Sequence, residues 1–294
     1  MIPQDTTRLD ARFFKTLEVD GHRLRVYDEG DADQPAILML HGAPHSSEEF
    51  RYNVPALRKA GYRVVVPDHL GAGESDRPED LTLYTGYADY QRSLAVMDAL
   101  GIDTFYAEGG DRGSLPLWML AAFHPDRVLA VISENVSHLN GFFSSGLDQK
   151  RRSWYMYFLQ FDAAKEALRA NEWELLKAFF DYHPDVNDMI RDFERPNGLE
   201  GAFLNWYRAN IHPDRAPKLE PLPNTSQPVL QLYSNNDPYI GPEQLATGPQ
   251  YIDGPITMKR IDGAGHFIAR NAPDEFNAAV IDFLAAQEAR RNAS

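Results

Sequence analysis

The chain has 294 residues, 43% hydrophobic and 24% charged, the proportions of a soluble globular protein with room for one large core and a smaller inserted piece. Its net charge of -14 argues against nucleic acid or an anionic membrane as partner, because both select basic surfaces. With no cysteine in the sequence, disulfides, thiolate metal ligands and a cysteine nucleophile are excluded together.

The first 20 residues carry no apolar run behind a basic start, and nowhere do 18 apolar residues follow one another. A cytoplasmic protein without a secretory signal or a membrane span is therefore expected. His22 to Tyr27 reads as a strand and Ala36 to Leu40, AILML, as one buried on both faces. A helical stretch over Ser47 to Ala60 and a strand over Arg63 to Val66 follow. Tyr87 to Leu100 has apolar residues at helical spacing. Next come a strand at Thr104 to Ala107, a helix over Ser114 to Phe123 and a strand at Val128 to Ile132. Strands alternating with helices imply right-handed crossovers and a mostly parallel sheet with helices on both faces, an α/β fold.

The rhythm changes near Ser137. The stretch to about Lys218 is aromatic and helical, with WYMYFLQF and NEWELLKAFFDY, and is closed by the proline-rich Ala216 to Pro223. Strands then resume at Val229 to Tyr233 and Ile256 to Ile261, before an amphipathic helix over Pro273 to Ala286. This predicts a core domain made of 1–136 and 219–294, interrupted by a helical cap over 137–218.

Chemistry concentrates in Gly109-Gly110-Asp111-Arg112-Gly113, between a strand and a helix. A sharp strand-to-helix turn flanked by glycines exposes its central side chain as a nucleophile, and here that residue is Asp111. A plain glycine-rich turn with an Asp bonded to its own backbone has the same local sequence. Two later residues separate the readings. Asp237 follows the strand ending in Leu232-Tyr233, and His266 lies in the glycine-rich Asp262-Gly263-Ala264-Gly265-His266-Phe267. Nucleophile, acid and histidine thus occur in that order at three strand ends, where parallel sheets assemble their sites. His266 is expected as general base, with Asp237 fixing its tautomer. The loop His41-Gly42-Ala43-Pro44 follows an apolar strand, and backbone N–H groups of Ala43 and Arg112 are expected to form an oxyanion hole.

HGAP at 41–44, PDHLGAGESDRP at 67–78, the Asp elbow, HPDRV at 124–128, Asp237 and GAGHF at 263–267 span nearly the whole chain. Together they resemble the epoxide hydrolase and dehalogenase branch of the α/β-hydrolase fold. The resemblance implies an Asp nucleophile that forms an alkyl ester, which His-activated water then hydrolyses, with no cofactor; no metal site is expected, because the histidines and carboxylates do not stand at ligand spacing. It also implies a small-molecule substrate, an epoxide or an organohalide. Asn205-Trp206-Tyr207-Arg208 matches the NWYR run of epoxide hydrolases, implying that Tyr207 protonates the opened epoxide oxygen. Its partner is expected from Trp154, Tyr155 or Tyr157, an indole pointing toward a dehalogenase and a phenol toward an epoxide hydrolase. Trp206, His41 and Pro44 are expected at the substrate as well.

The sequence departs from the branch at two neighbours of the nucleophile, where Gly110 replaces a usual His and Arg112 a usual Trp. A lone Arg112, with Leu115 where fluoroacetate dehalogenases carry a second Arg, still allows a polar or anionic substrate. Some dehalogenases take the acid from the end of the strand that follows the elbow helix; here that position is Asn135, with Glu134 in reserve. A binding protein on the same scaffold would need no such set of three residues. A homodimer is the base-rate expectation.

Overall fold

A computed structural model describes residues 8–180, 183, 185–212, 214 and 220–293. Its centre is an eight-stranded sheet in the order β1-β2-β4-β3-β5-β6-β7-β8. The strands are β1 Phe14–Val19, β2 His22–Glu29, β3 Ala36–Leu40, β4 Arg63–Pro67, β5 Phe105–Gly110, β6 Val128–Glu134, β7 Val229–Tyr233 and β8 Ile256–Arg260. β1 with β2 and β2 with β4 pair antiparallel, and all other pairs are parallel. β1 escaped the sequence reading because its residues are mostly exposed or half-buried, so no core-facing alternation marks it.

Side chains alternate across a strand, and β3 feeds two cores accordingly. Ala36, Leu38 and Leu40 belong to one apolar cluster, Ile37 and Met39 to the other. Helices cover both faces: α1 Val54–Lys59, α2 Gly86–Ala99 and α3 Ser114–Phe123 in the first half, and α12 Pro273–Ala293 at the end. The stretch expected as one helix over Ser47 to Ala60 is a 3-10 turn, Ser47–Phe50, followed by α1. Pro55 stands in the first turn of α1, where its missing N–H costs nothing.

Between β6 and β7 lie α4 Leu139–Phe143, α5 Leu147–Arg152, α6 Trp154–Phe158, α7 Ala163–Phe179, α8 Val186–Phe193 and α9 Asn205–Ile211. α7 is broken at Ala170 to Trp173, where three consecutive residues have positive φ. The expected cap boundary at residue 218 lies outside the described residues. Buried side chains of this insertion, among them Leu159, Leu176, Phe203 and Tyr207, join the sheet cluster that contains Leu38 and Leu40. Its inner face therefore closes over the ends of β3 and β5. Two short helices, α10 Glu243–Thr247 and α11 Ile268–Asn271, flank the returning strands.

Candidate active site

β5 ends at Gly110, and the chain turns through Asp111 into α3 within three residues. Asp111 is left-handed, φ 46°, a strained state for a residue with a Cβ. The turn closes only because Gly113 lacks one. A methyl there would lie 2.0 Å from the Leu40 carbonyl oxygen. Ser114 Oγ donates to the Asp111 carbonyl oxygen at 2.5 Å and so belongs to the turn.

Asp111 Oδ1 accepts from Ala43 N at 2.7 Å, and the backbone N–H of Arg112 also bonds its carboxylate. Oδ2 lies 3.2 Å from His266 Nε2, while His266 Nδ1 lies 2.7 Å from Asp237 Oδ2. Asp237 Oδ1 accepts from the N–H groups of Tyr239 and Ile240, at 2.7 and 3.0 Å. All three side chains are largely withdrawn from solvent. Burial alone would favour neutral groups. The two carboxylates nevertheless hold the His266 pKa well above its ordinary value. Burial opposes the charge on Asp111 too, but His266 and the two backbone donors hold its carboxyl below the usual range. Both shifts run the same way, toward a proton on His266 and a charge on Asp111.

Two apolar spaces meet at Asp111. The larger is walled by Leu115, Leu139, Phe142, Met156, Trp206 and Ile211, among others. The smaller is walled by Phe179, Phe180, Phe203, Tyr239, His266 and Phe267, with Ala43. Tyr155 and Tyr207 border both. Their rings stand edge to face with centroids 5.6 Å apart, and their hydroxyls hydrogen-bond each other. Burial, then the nearby charge of Asp111, pushes both phenol pKa values well above 10.0. Each is a neutral O–H donor beside a carboxylate.

Other expected residues are elsewhere. Trp154 and Tyr157, on the outer side of α6, are each 55% exposed and border neither space; Tyr155, one residue along the helix, faces inward at 3%. His41 is buried behind the loop, with Nδ1 on Gly42 O and Nε2 accepting from His69 N. Pro44 borders a separate polar cleft instead. The Arg112 guanidinium turns away from Asp111 to Asp89, with Nε–Oδ2 2.9 Å and Nη2–Oδ1 3.1 Å. It carries no free charge for a substrate, against the expectation of a polar or anionic one. The reserve acid Glu134 meets the N–H groups of Ile268 and Ala269, and Asn135 meets backbone carbonyls; only Asp237 bonds the imidazole among these alternatives. Tyr239 was missed by sequence reasoning although it follows Asp237 by two residues. Its ring stands edge-on to His266 at 5.1 Å. Among the described residues no three His, Asp or Glu side chains gather in metal-ligating geometry, and no helix is long and apolar enough to cross a membrane.

The elbow, its order of partners and the sheet behind them agree with one family model, that of the alpha/beta hydrolase fold, which matches residues 35–272. The chain belongs to this family. Among its similar proteins is epoxide hydrolase A of Mycobacterium tuberculosis, 26% identical over 94% of this chain and 98% of that protein. Human epoxide hydrolase 4 is 27% identical over 94% of this chain and 79% of its own length. Among solved structures, an epoxide hydrolase from metagenomes of hot environments superposes with a TM-score of 0.79 at 27% identity, covering 92% of this chain and 98% of the other. Epoxide hydrolase A of Mycobacterium thermoresistibile gives 0.75 at 25%, with the same coverage.

Proposed function

We propose that this α/β hydrolase is an epoxide hydrolase that works through an ester on Asp111. The observation that carries the reading is the pair of buried, neutral phenols, Tyr155 and Tyr207, bordering the same spaces as the Asp111 carboxylate. An epoxide opens to an alkoxide that stays attached to the substrate, and it needs a proton where the oxygen sits. Two O–H donors held together meet that need. A departing halide needs N–H donors or cations instead. Trp154 faces outward and Arg112 is consumed by Asp89, so neither serves it. The epoxide hydrolases among the similar proteins support the same reading.

In the first step Asp111 attacks an epoxide carbon through Oδ2, the oxygen not bound to Ala43 N. The carbon–oxygen bond of the ring breaks, and a tyrosine O–H gives its proton to the alkoxide. The new ester is neutral, so His266 loses one of the two negative charges that raised its pKa. It passes its proton, through water, to the tyrosinate left by the first step and becomes able to act as base. His266 then takes a proton from water as that water attacks Cγ of Asp111, and Asp237 stabilises the imidazolium. Oδ1 carries the charge of the tetrahedral intermediate, held by the Ala43 and Arg112 N–H groups. As the intermediate collapses, its hydroxyl proton passes to the departing alkoxide oxygen, which releases a vicinal diol and restores the carboxylate.

Styrene oxide, a compact neutral epoxide, is a suitable probe. A single turnover with excess enzyme in ¹⁸O-water should give unlabelled diol, because its new oxygen comes from Asp111, and should leave ¹⁸O in the Asp111 peptide. Label in the diol and none in the peptide would mean direct attack by water and would rule out the ester. Halide release from haloalkanes, without diol from epoxides, would point to a dehalogenase.

A further inference from the structure

His266 is held by its ring from two carboxylates, but its backbone is held from elsewhere. β6 ends in Glu134, and regular alternation would send Glu134 and Asn135 to opposite sides of the sheet. Asn135 instead adopts φ 56°, a left-handed state that asparagine tolerates better than most residues. Both side chains thereby reach the histidine loop.

Glu134 Oε1 accepts from Ile268 N at 2.5 Å and Oε2 from Ala269 N at 3.2 Å. These are the first two N–H groups of α11, which have no partner inside the helix. Asn135 Nδ2 donates to the carbonyl oxygens of His266 and Gly265, at 2.5 and 3.3 Å. Its Oδ1 accepts from Ser234 N at 3.0 Å, three residues before Asp237. Its own backbone is tied down as well, with N donating to Leu232 O at 2.9 Å and O accepting from Gln244 Nε2 at 2.6 Å.

Peptide groups at 265, 266, 268 and 269 are thus gripped by two consecutive buried side chains of one strand end. One of those side chains also grips the loop that carries the acid. A rigid strand end sets where His266 sits relative to Asp237 and Asp111 by holding its loop through peptide groups. Displacing a catalytic group by about 1 Å costs on the order of a hundredfold in rate.

We infer that Glu134 and Asn135 are positioning residues for His266, and that they serve hydrolysis of the ester rather than its formation. This rests on the two-step reading above. Ester formation draws on Asp111 and the two phenols, which hang from the elbow and from α6 and α9. Hydrolysis alone needs His266 Nε2 aimed at a water beside Cγ of Asp111.

The test is pre-steady-state kinetics with styrene oxide on Glu134→Gln and Asn135→Asp, with His266→Gln as control. Glu134→Gln keeps the shape but replaces one of the two accepting oxygens with an amide nitrogen, which cannot accept from Ile268 N or Ala269 N whatever the protonation of the parent. Asn135→Asp keeps the left-handed turn and the acceptor for Ser234 while losing the donor to His266 O. Expected are ester formation within about threefold of the parent and hydrolysis slower by about tenfold or more, with the alkyl adduct on Asp111 visible by mass spectrometry. Equal slowing of both steps in the two variants, or hydrolysis at the parental rate per folded molecule, would overturn the inference. If Glu134→Gln does not fold, Asn135→Asp decides by the same criteria. Absence of ester in the His266→Gln control would instead sink the two-step reading itself.

Discussion

Arg112 follows Asp111 in sequence, yet its guanidinium is paired with Asp89 through two hydrogen bonds of 2.9 and 3.1 Å, and both side chains are essentially inaccessible to solvent. A third bond runs from Nη2 to Leu70 O at 3.0 Å. The pair ties α2 to the Asp111 turn and to the loop after β4, and its guanidinium faces away from Asp111.

Breaking such a pair from one side leaves a buried charge without its counterion. Asp89→Ala is therefore expected to lower unfolding stability by about 3–5 kcal/mol, measured by denaturant titration. The double variant Asp89→Leu with Arg112→Met removes both charges and should recover a large part of that loss. An equal or greater loss in the double variant would show that the charges themselves stabilise the turn.

Tyr155→Phe and Tyr207→Phe remove O–H donors while keeping the ring contacts of the site. Since the two hydroxyls hydrogen-bond each other, each can partly replace the other. Removing both is expected to slow ester formation by about 10²–10⁴-fold, the usual range for a positioned proton donor, with each single variant losing less. Rapid-quench measurement of ester formation distinguishes these cases. Retention of the parental rate in the double variant would remove the phenols from the mechanism.

The outward face of α6 should be dispensable. Trp154→Ala and Tyr157→Ala alter residues that are each 55% exposed. They should leave kcat/KM within about twofold and stability within about 0.5 kcal/mol. Trp206→Ala, which opens the wall of the larger space, should raise KM for long apolar epoxides. A large activity loss in Trp154→Ala would mean that this face reaches the substrate.

Glu134 sets a pH window for stability. Burial first, and then the charge of Glu49, raises its pKa from 4.5 to about 8, against the N–H groups of Ala269 and Ile268 and the nearby His266. Glu108, also buried, is raised by burial and by Glu134 and Glu49. Above about 4.5 the unfolded chain releases the Glu134 proton while the folded chain still holds it. Stability from this group is thus fully present below that pH and is lost as pH rises through about 8. Glu134→Gln should flatten the decline of the unfolding midpoint across that window. An unchanged slope would mean that Glu134 is already ionised in the folded protein.

Much of this architecture was legible in the residues. AILML at 36–40 is β3 to the residue, SLPLWMLAAF at 114–123 is α3 to the residue, and VLQLY at 229–233 is β7. These runs are governed by burial and hydrogen bonding along a short stretch of chain. The glycine-flanked turn likewise marks Asp111, since a strained strand-to-helix corner must be built into local sequence. The order of Asp111, Asp237 and His266 pointed to a common site because parallel strands all end on one edge.

What sequence could not carry was direction. Trp154, Tyr155 and Tyr157 occupy one helical turn, and which of them faces Asp111 depends on how α6 rolls against α9 and Phe179. Arg112 follows Asp111 in the chain, but its orientation depends on Asp89, 23 residues before it. Glu134 and Asn135 both reach the histidine loop only because one residue leaves the strand conformation. Backbone periodicity and turn chemistry are local and were readable. The aim of each side chain is set by packing between segments far apart in sequence, and only the tertiary structure decided it.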